Sequence, residues 1–355
     1  MTDAVLVTGA FGLVGTATVK HLAAQGRQVI ASDLDTPANR AAAGALPAGV
    51  QTRWADLTDH SQVTGLLADT DPASIIHLAA IIPPLCYAKP QLARKVNVDA
   101  TANLVKAAAA QPNPPRFIQA SSIAVYGPRN PHHVTDVLTA ETKVNPYDVY
   151  GRQKAEAETI VRDCALDWVI LRLGGVLTVD LRLDMDPDMI YFEGVLPTDG
   201  RLQTVDVRDV AHAFAAATIA DVTGRTLLIG GDDSHRLRQG EIASATSKAI
   251  GLVGALPTGR RGDPDDDDAW FATDWMDTAT AQAVLGHQHH SWPQMLAETA
   301  DKAGWKRYPL RLAAPLAREF LKRRSAYYRQ PGTYANPWAA VQRKWGTAQE
   351  DRRSV

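Results

Sequence analysis

Short apolar runs recur along the first half of the chain, each followed by a stretch with amphipathic-helix spacing. Residues 4–8 (Ala-Val-Leu-Val-Thr) form the first run, and a glycine cluster ends it; helix-like spacing follows over 16–25. Further runs stand at 29–32, 74–80, 117–121 and 168–173, with helix-like stretches over 93–110 and 150–164. Strands buried on both faces read as continuous apolar runs. Strands that alternate with helices predict an α/β fold built on a doubly wound parallel sheet of the Rossmann type.

After Gly174 the alternation breaks. Residues 176–204 are irregular, 204–218 read as a strand end running into an Ala-rich helix, and 226–230 as another strand. The expected organisation is a sheet domain over 1–175, rejoined by 204–232. A smaller, interleaved substrate-binding lobe takes 176–203 and 233–300, and a C-terminal extension takes 301–355. Leu177, Leu181, Leu183, Met185, Met189, Ile190, Tyr191 and Phe192 leave two readings open, an apolar substrate pocket or the lobe's own core. The acidic run 263–268 contains Pro264 and is expected to be a loop.

Composition adds bounds. The chain has 355 residues, 45% hydrophobic and 21% charged, which is ordinary globular usage. No run approaches the roughly 18 apolar residues of a membrane span. The N-terminus enters a strand pattern with no basic segment before it, so no secretory signal is expected. Cys86 and Cys164 form neither a disulfide framework nor a zinc pattern, and a cytoplasmic, reducing setting is expected.

Charge is uneven. Residues 301–355 hold 13 Lys/Arg and 4 Asp/Glu, a net of +9; the rest holds 24 and 35, a net of −11. Over 310–328, Leu312, Leu316, Phe320 and Leu321 alternate with Arg311, Arg318, Lys322, Arg323 and Arg324, the spacing of a cationic amphipathic helix that Pro315 would start or kink. Three destinations stay open: the acidic body of the same chain, a second subunit in a homodimer, or peripheral contact with an anionic membrane. No nucleic-acid module is recognisable, so nucleic acid is not an expected partner.

The glycine cluster Thr8-Gly9-Ala10-Phe11-Gly12-Leu13-Val14-Gly15 lies between the first strand and the first helix, with Asp33 at the end of the next strand. That context reads as a dinucleotide loop. Gly9 permits a tight turn, Gly12 lets backbone approach a pyrophosphate, and Gly15 allows close helix packing. The helix N-terminus offers its free N–H groups to the anion. Phe11 and Leu13 belong to the same loop. Asp33 would accept hydrogen bonds from a ribose 2′-hydroxyl and repel a 2′-phosphate, so the expected cofactor is NAD. Asp56-Leu57, ending another short strand, reads equally as an adenine contact or a turn.

Tyr150 and Lys154 stand four residues apart, on one face of a predicted helix. A free tyrosine, with a pKa of about 10, is a poor acid–base group at neutral pH. A neighbouring ammonium and an oxidised nicotinamide would lower that value. Ser122 ends a strand upstream, at the edge where α/β sheets bind ligands, and could hold a substrate oxygen beside Tyr150.

Several pieces stand together in order: Thr8–Gly15, Asp33, Asp56-Leu57, His77-Leu78-Ala79-Ala80, Val96-Asn97-Val98, Ser121–Gly127, Tyr150–Lys154, Leu171-Arg172-Leu173 and Val205–Ala211. Across roughly residues 4–300 the chain resembles an extended short-chain dehydrogenase/reductase of the NAD-dependent epimerase/dehydratase family. The resemblance implies that Ser122 positions the substrate oxygen, that Tyr150 is the general acid/base, and that Lys154 tunes it and binds the nicotinamide ribose. It implies that Leu78, Ala79 and Ala80 line the ribose side, with Asn97 supporting the site. Relatives that bind nucleotide sugars look like Arg-x-x-Asn after the sixth strand, the Asn holding the diphosphate. Gly175 stands at that place here.

The expected function is therefore hydride transfer between NAD and a secondary alcohol or ketone, with a small-molecule substrate. The alternative is an NDP-sugar epimerase or dehydratase with tightly held NAD. A third reading, a non-catalytic NAD-sensing protein, sits badly with the Ser122, Tyr150 and Lys154 set. His132-His133 and His287-Gln288-His289-His290 lack partners for a tetrahedral site, and no metal is expected.

Overall fold

The computed structural model describes residues 3–180, 186–257 and 259–346. Its centre is a seven-stranded parallel sheet. The first six strands are β1 (Ala4–Thr8), β2 (Gln28–Asp33), β3 (Gln51–Trp54), β4 (Ser74–His77), β5 (Arg116–Ser122) and β6 (Trp168–Leu173). Next come β7 (Gly175–Leu177), β8 (Arg201–Asp206), β9 (Arg225–Ile229) and β10 (Arg236–Arg238). The large sheet runs β3-β2-β1-β4-β5-β6-β9. The chain starts in the middle, builds outward to β3, then returns to the other side of β1. The order reverses between β1 and β4, which leaves a crevice at their carboxyl ends. Register brings Thr8 beside both Ser32 and His77, and Ser122 beside Leu173, so the candidate residues share that edge.

The apolar runs are continuous because both faces are covered. Val5, Val7, Ile76, Ile118 and Val169 face helices Leu13–Ala24 and Val207–Ala217, meeting Val19, Leu22, Val210 and Phe214. Leu6, Ile30, Ile75, Phe117 and Ile170 face helices His60–Thr70, Ala100–Ala109 and Val149–Arg162, meeting Leu67, Leu104 and Val161.

Three expectations need correction. The stretch 93–110 is not one helix: Pro90–Arg94 passes into a π-helical turn, Lys95–Asp99, before Ala100–Ala109. The segment 204–232 does not rejoin the sheet domain as a block. β8 pairs with β7 and β10 in a separate three-stranded sheet, and only helix Val207–Ala217 and β9 return. Pro315 does not start the basic helix, which runs Arg307–Arg324 through it, with buried Ala314 and Leu321 seating it on the body.

The extension also folds back. Helix Pro337–Trp345 buries Trp338, Ala340 and Val341 against Cys86, Tyr87 and Phe192. Of the apolar loop residues, Leu181, Leu183 and Met185 lie outside the described residues. Met189, Ile190, Tyr191 and Phe192 lie on helix Pro187–Glu193, and Tyr191 and Phe192 pack into this same cluster.

Candidate active site

The glycine loop is held by two close approaches. Gly9 has φ +64, and a Cβ there would meet the Ala79 backbone nitrogen at 2.6 Å. A Cβ on Gly15 would lie 2.1 Å from the Gly9 carbonyl oxygen. Gly12 differs: a Cβ there would meet only that carbonyl, at 3.4 Å. Folding does not require glycine at 12, so its open side is space for a ligand. Gly12 is also the N-cap of helix Leu13–Ala24, and no side chain caps that end. A cleft of about 480 Å³, lined by Gly12, Thr16, Lys20, His21, Asp180 and Arg208 among others, runs along this helix toward helix Val207–Ala217. At the helix start the first-turn N–H groups and the positive end of the dipole have no side-chain cap. This is the cradle a pyrophosphate needs.

Asp33 accepts the Phe11 N–H at 3.2 Å and the Leu34 N–H at 2.8 Å. Its carboxylate thus hangs at the rim of the loop, with lone pairs left for a diol. Asp56 is committed locally, because its Oδ1 accepts from both the amide and the hydroxyl of Thr58 in a tight turn. Leu57 is buried in the core beneath it. Leu78, Ala79 and Ala80 follow β4 and are half-buried along the crevice. His77 bridges the hydroxyls of Thr8 (2.7 Å) and Thr101 (3.1 Å), tying β1 to the helix beneath. Burial, with the Lys154 charge second, drives its pKa down to about 3, so the ring is neutral.

Asn97 uses its whole amide within the protein. Oδ1 accepts from the Ile81 N–H, and Nδ2 donates to the Ile81 carbonyl and to Gln153 Oε1. It clamps the segment after Leu78–Ala80 against the helix bearing Lys154, and has no group left for a cofactor.

Asp148 starts helix Val149–Arg162, accepting from the Gly151 N–H at 3.0 Å and from the Tyr87 hydroxyl at 2.6 Å. This cap fixes where Tyr150 leaves the helix. The Ser122 side chain lies near enough to the Tyr150 hydroxyl to lower its pKa. Ser122 Oγ also accepts the Ala124 N–H at 3.2 Å, which fixes its rotamer. The Lys154 ammonium lies 5.9 Å from the Tyr150 ring centre and donates to the Ala120 carbonyl at 3.0 Å. Burial pulls Lys154 down to about 8, against the opposing charge of Glu158 one turn on.

Tyr150 departs from expectation. Burial raises its pKa, the neighbouring Cys86 and Asp148 add to the rise, and the Ser122 side chain only partly opposes it. Tyr150 is half-buried and packs against the cluster that contains Trp338, with Trp345 at the same cluster's edge. Nothing in residues 326–345 signalled this, because their aromatics follow no motif. Cys86, Tyr87, Asp148 and Glu158 were missed for the same reason.

Below the site, Arg172 forms a bidentate pair with Glu158 (2.8 and 2.6 Å), and Glu158 also accepts from Ser121 and Arg162. Arg172 is therefore a buried support of β5 and β6. Leu202 side-chain atoms stand 3.1–3.3 Å from where a Cβ on Gly175 would be, so the place of a diphosphate-binding Asn is packed. The histidines are spread out: His133 pairs with Asp267, His290 with Asp209, and His287 with the Gly230 carbonyl, while His212 meets His21 in a tilted and His289 in an edge-on ring contact. Among the described residues no group of three or more His, Cys, Asp or Glu side chains converges as a metal site.

A family model described as NAD dependent epimerase/dehydratase family matches residues 5–178, the span holding the glycine loop, Ser122, Tyr150 and Lys154. Residues 5–178 belong to that family. D-erythronate dehydrogenase of Cupriavidus necator is 31% identical over 179 residues, 48% of this chain and 54% of that protein. Methionine adenosyltransferase 2 subunit beta of Bos taurus is 30% identical over 192 residues, 54% of this chain and 52% of that protein. The chain spans about half the length of these curated relatives. The UDP-glucose 4-epimerase of Thermus thermophilus, solved with NAD, superposes with a TM-score of 0.67 at 22% identity, over 84% of this chain and 98% of that one. This likeness shows the family's α/β fold extending past the matched half.

Proposed function

We propose that the chain is an NAD-dependent oxidoreductase that interconverts a secondary alcohol and its ketone. The observation that carries this reading is the placement of Ser122 at the carboxyl end of β5 with Tyr150 and Lys154 on the helix beside it, the Lys154 ammonium 5.9 Å from the Tyr150 ring centre and bonded to the Ala120 carbonyl. Gly12, the uncapped helix and Asp33 would hold the dinucleotide. NAD, when bound, supplies the hydride acceptor. Ser122 Oγ holds the substrate oxygen, Tyr150 Oη takes the hydroxyl proton as the carbinol hydrogen leaves as hydride, and the Lys154 ammonium favours the phenolate.

Net oxidation, rather than epimerisation, is supported by Leu202 filling the space at Gly175. The name of the Cupriavidus relative, a dehydrogenase, points the same way. Tyr147, Tyr191 and Trp345, half-buried at the cluster that Tyr150 packs against, favour a substrate with an apolar body. The test is Tyr150→Phe, assayed by NADH fluorescence over a panel of secondary alcohols and sugar nucleotides, with NAD affinity measured by calorimetry. Loss of turnover with NAD affinity retained is expected. Undiminished turnover would remove Tyr150 from the mechanism, and turnover of sugar nucleotides without NADH release would replace oxidation by epimerisation.

A further inference from the structure

Helix Arg307–Arg324 presents two opposite apolar faces, and only one has a partner. Leu310, Ala314, Ala317 and Leu321 face the body, with Ala314 and Leu321 buried. On the far side Trp305, Tyr308, Leu312, Leu316 and Phe320 are exposed, at 74, 77, 84, 79 and 51%. At about 3.6 residues per turn Tyr308, Leu312, Leu316 and Phe320 form a stripe along a helix about 27 Å long, crossed by the Glu319–Arg323 ion pair, with Trp305 in the turn just before it. Five large apolar side chains on one surface mark an interaction site.

Charge decides the occupant. At the same pitch Arg307, Arg311, Arg318 and Lys322 line one edge of the stripe. The helix carries six cations, counting Arg323 and Arg324, against the single anion Glu319. A second copy packed stripe to stripe would bring like charges together. An anionic lipid surface matches both features: the stripe enters the acyl boundary while the cations meet headgroup charge. Trp305 and Tyr308 are residue types favoured at that boundary. Among the described residues no helix is long and apolar enough to cross a membrane, so the geometry lies flat.

We infer that helix Arg307–Arg324 docks the protein on the surface of an anionic lipid bilayer, with the Trp305–Phe320 stripe inserted. This is independent of the catalytic reading.

The test uses the full chain in co-sedimentation with phosphatidylcholine vesicles, with and without phosphatidylserine. The wild type should pellet with the anionic vesicles and be released by high salt. L312E/L316E should stay in the supernatant with an unchanged melting temperature, because both positions are exposed. R311Q/R318Q/K322Q should lose roughly a hundredfold in partitioning, at about fivefold per cation. A wild type that ignores anionic vesicles overturns the proposal, as does equal pelleting of L312E/L316E. A dimer in the ultracentrifuge that L312E/L316E splits, without vesicle uptake, would assign the stripe to a second copy instead.

Discussion

The Lys154 ammonium donates to the Ala120 carbonyl at 3.0 Å while the Tyr150 ring centre stands 5.9 Å away. The folded lysine titrates at about 8, well below its ordinary 10.5. Below pH 8 both folded and unfolded chains are protonated there, and the cost of the buried charge is fully present. Between pH 8 and about 10.4 the unfolded chain binds a proton that the folded one does not, so stability rises with pH across that window. Lys154→Met should therefore stabilise the ligand-free protein at pH 7, by up to about 3 kcal/mol. Ala120 keeps a donor, Gln119 Nε2 at 2.9 Å. Urea titrations at pH 7 and 9.5 check it: the advantage must shrink at the higher pH, while turnover is lost at both.

The two helix-start glycines should behave differently. Gly15→Ala puts a methyl 2.1 Å from the Gly9 carbonyl, and backbone must move. A cooperative melt shifted down by many degrees, or insoluble protein, is the expected result. Gly12→Ala meets only one atom, at 3.4 Å. It should fold within about 1 kcal/mol of the wild type. It should still lose NAD affinity by at least about tenfold, since the methyl occupies the space over the helix N-terminus. Equal NAD affinity in Gly12→Ala would move the pyrophosphate off this loop.

Glu158 and Arg172 form a buried pair whose hydrogen bonds outweigh the desolvation that would otherwise raise the carboxyl's pKa. Removing Glu158 strands the Arg172 charge, whereas removing Arg172 leaves Glu158 paired with Arg162 and bonded by Ser121. Glu158→Leu should cost about 3–5 kcal/mol in urea unfolding, and Arg172→Met less. Arg172→Met with Glu158→Leu should recover most of that loss. Additive losses in the double variant would show that the pair is not coupled.

What the sequence made legible follows one division. Local rules are strong where β1, the glycines and helix Leu13–Ala24 stand together, because turn geometry and helix ends dictate residue types at fixed spacing. Tyr150 and Lys154 were readable as a pair for the same reason. The π-turn at Lys95–Asp99 was not, since nothing in a Val-Asn-Val run distinguishes it from α-helix. β7 and β10 escaped because three-residue strands have too little pattern to register. Asn97 read as a site residue because a buried amide looks alike in sequence whether it binds ligand or, as here, the Ile81 backbone. The fold-back of Trp338 onto Phe271 and Tyr147 is a contact between segments far apart in the chain, which periodicity cannot carry.

That fold-back sets the last prediction. Trp345 is half-buried, 6.0 Å from the Tyr87 ring and 5.6 Å from that of Tyr191, at the edge of the cluster that the half-buried Tyr150 also packs against. Trp345→Ala opens a water path at the end of the chain without touching Ser122 or Lys154. Burial is the largest cause of the raised Tyr150 pKa, so hydration must lower it. Oxidation needs the phenolate, and the kcat/KM profile for the alcohol should therefore move to lower pH, by up to about one unit. KM for apolar alcohols should rise as their covering ring is lost. A profile that stays in place while KM rises would leave Trp345 as a substrate contact alone, with the Tyr150 environment set by Cys86 and Asp148.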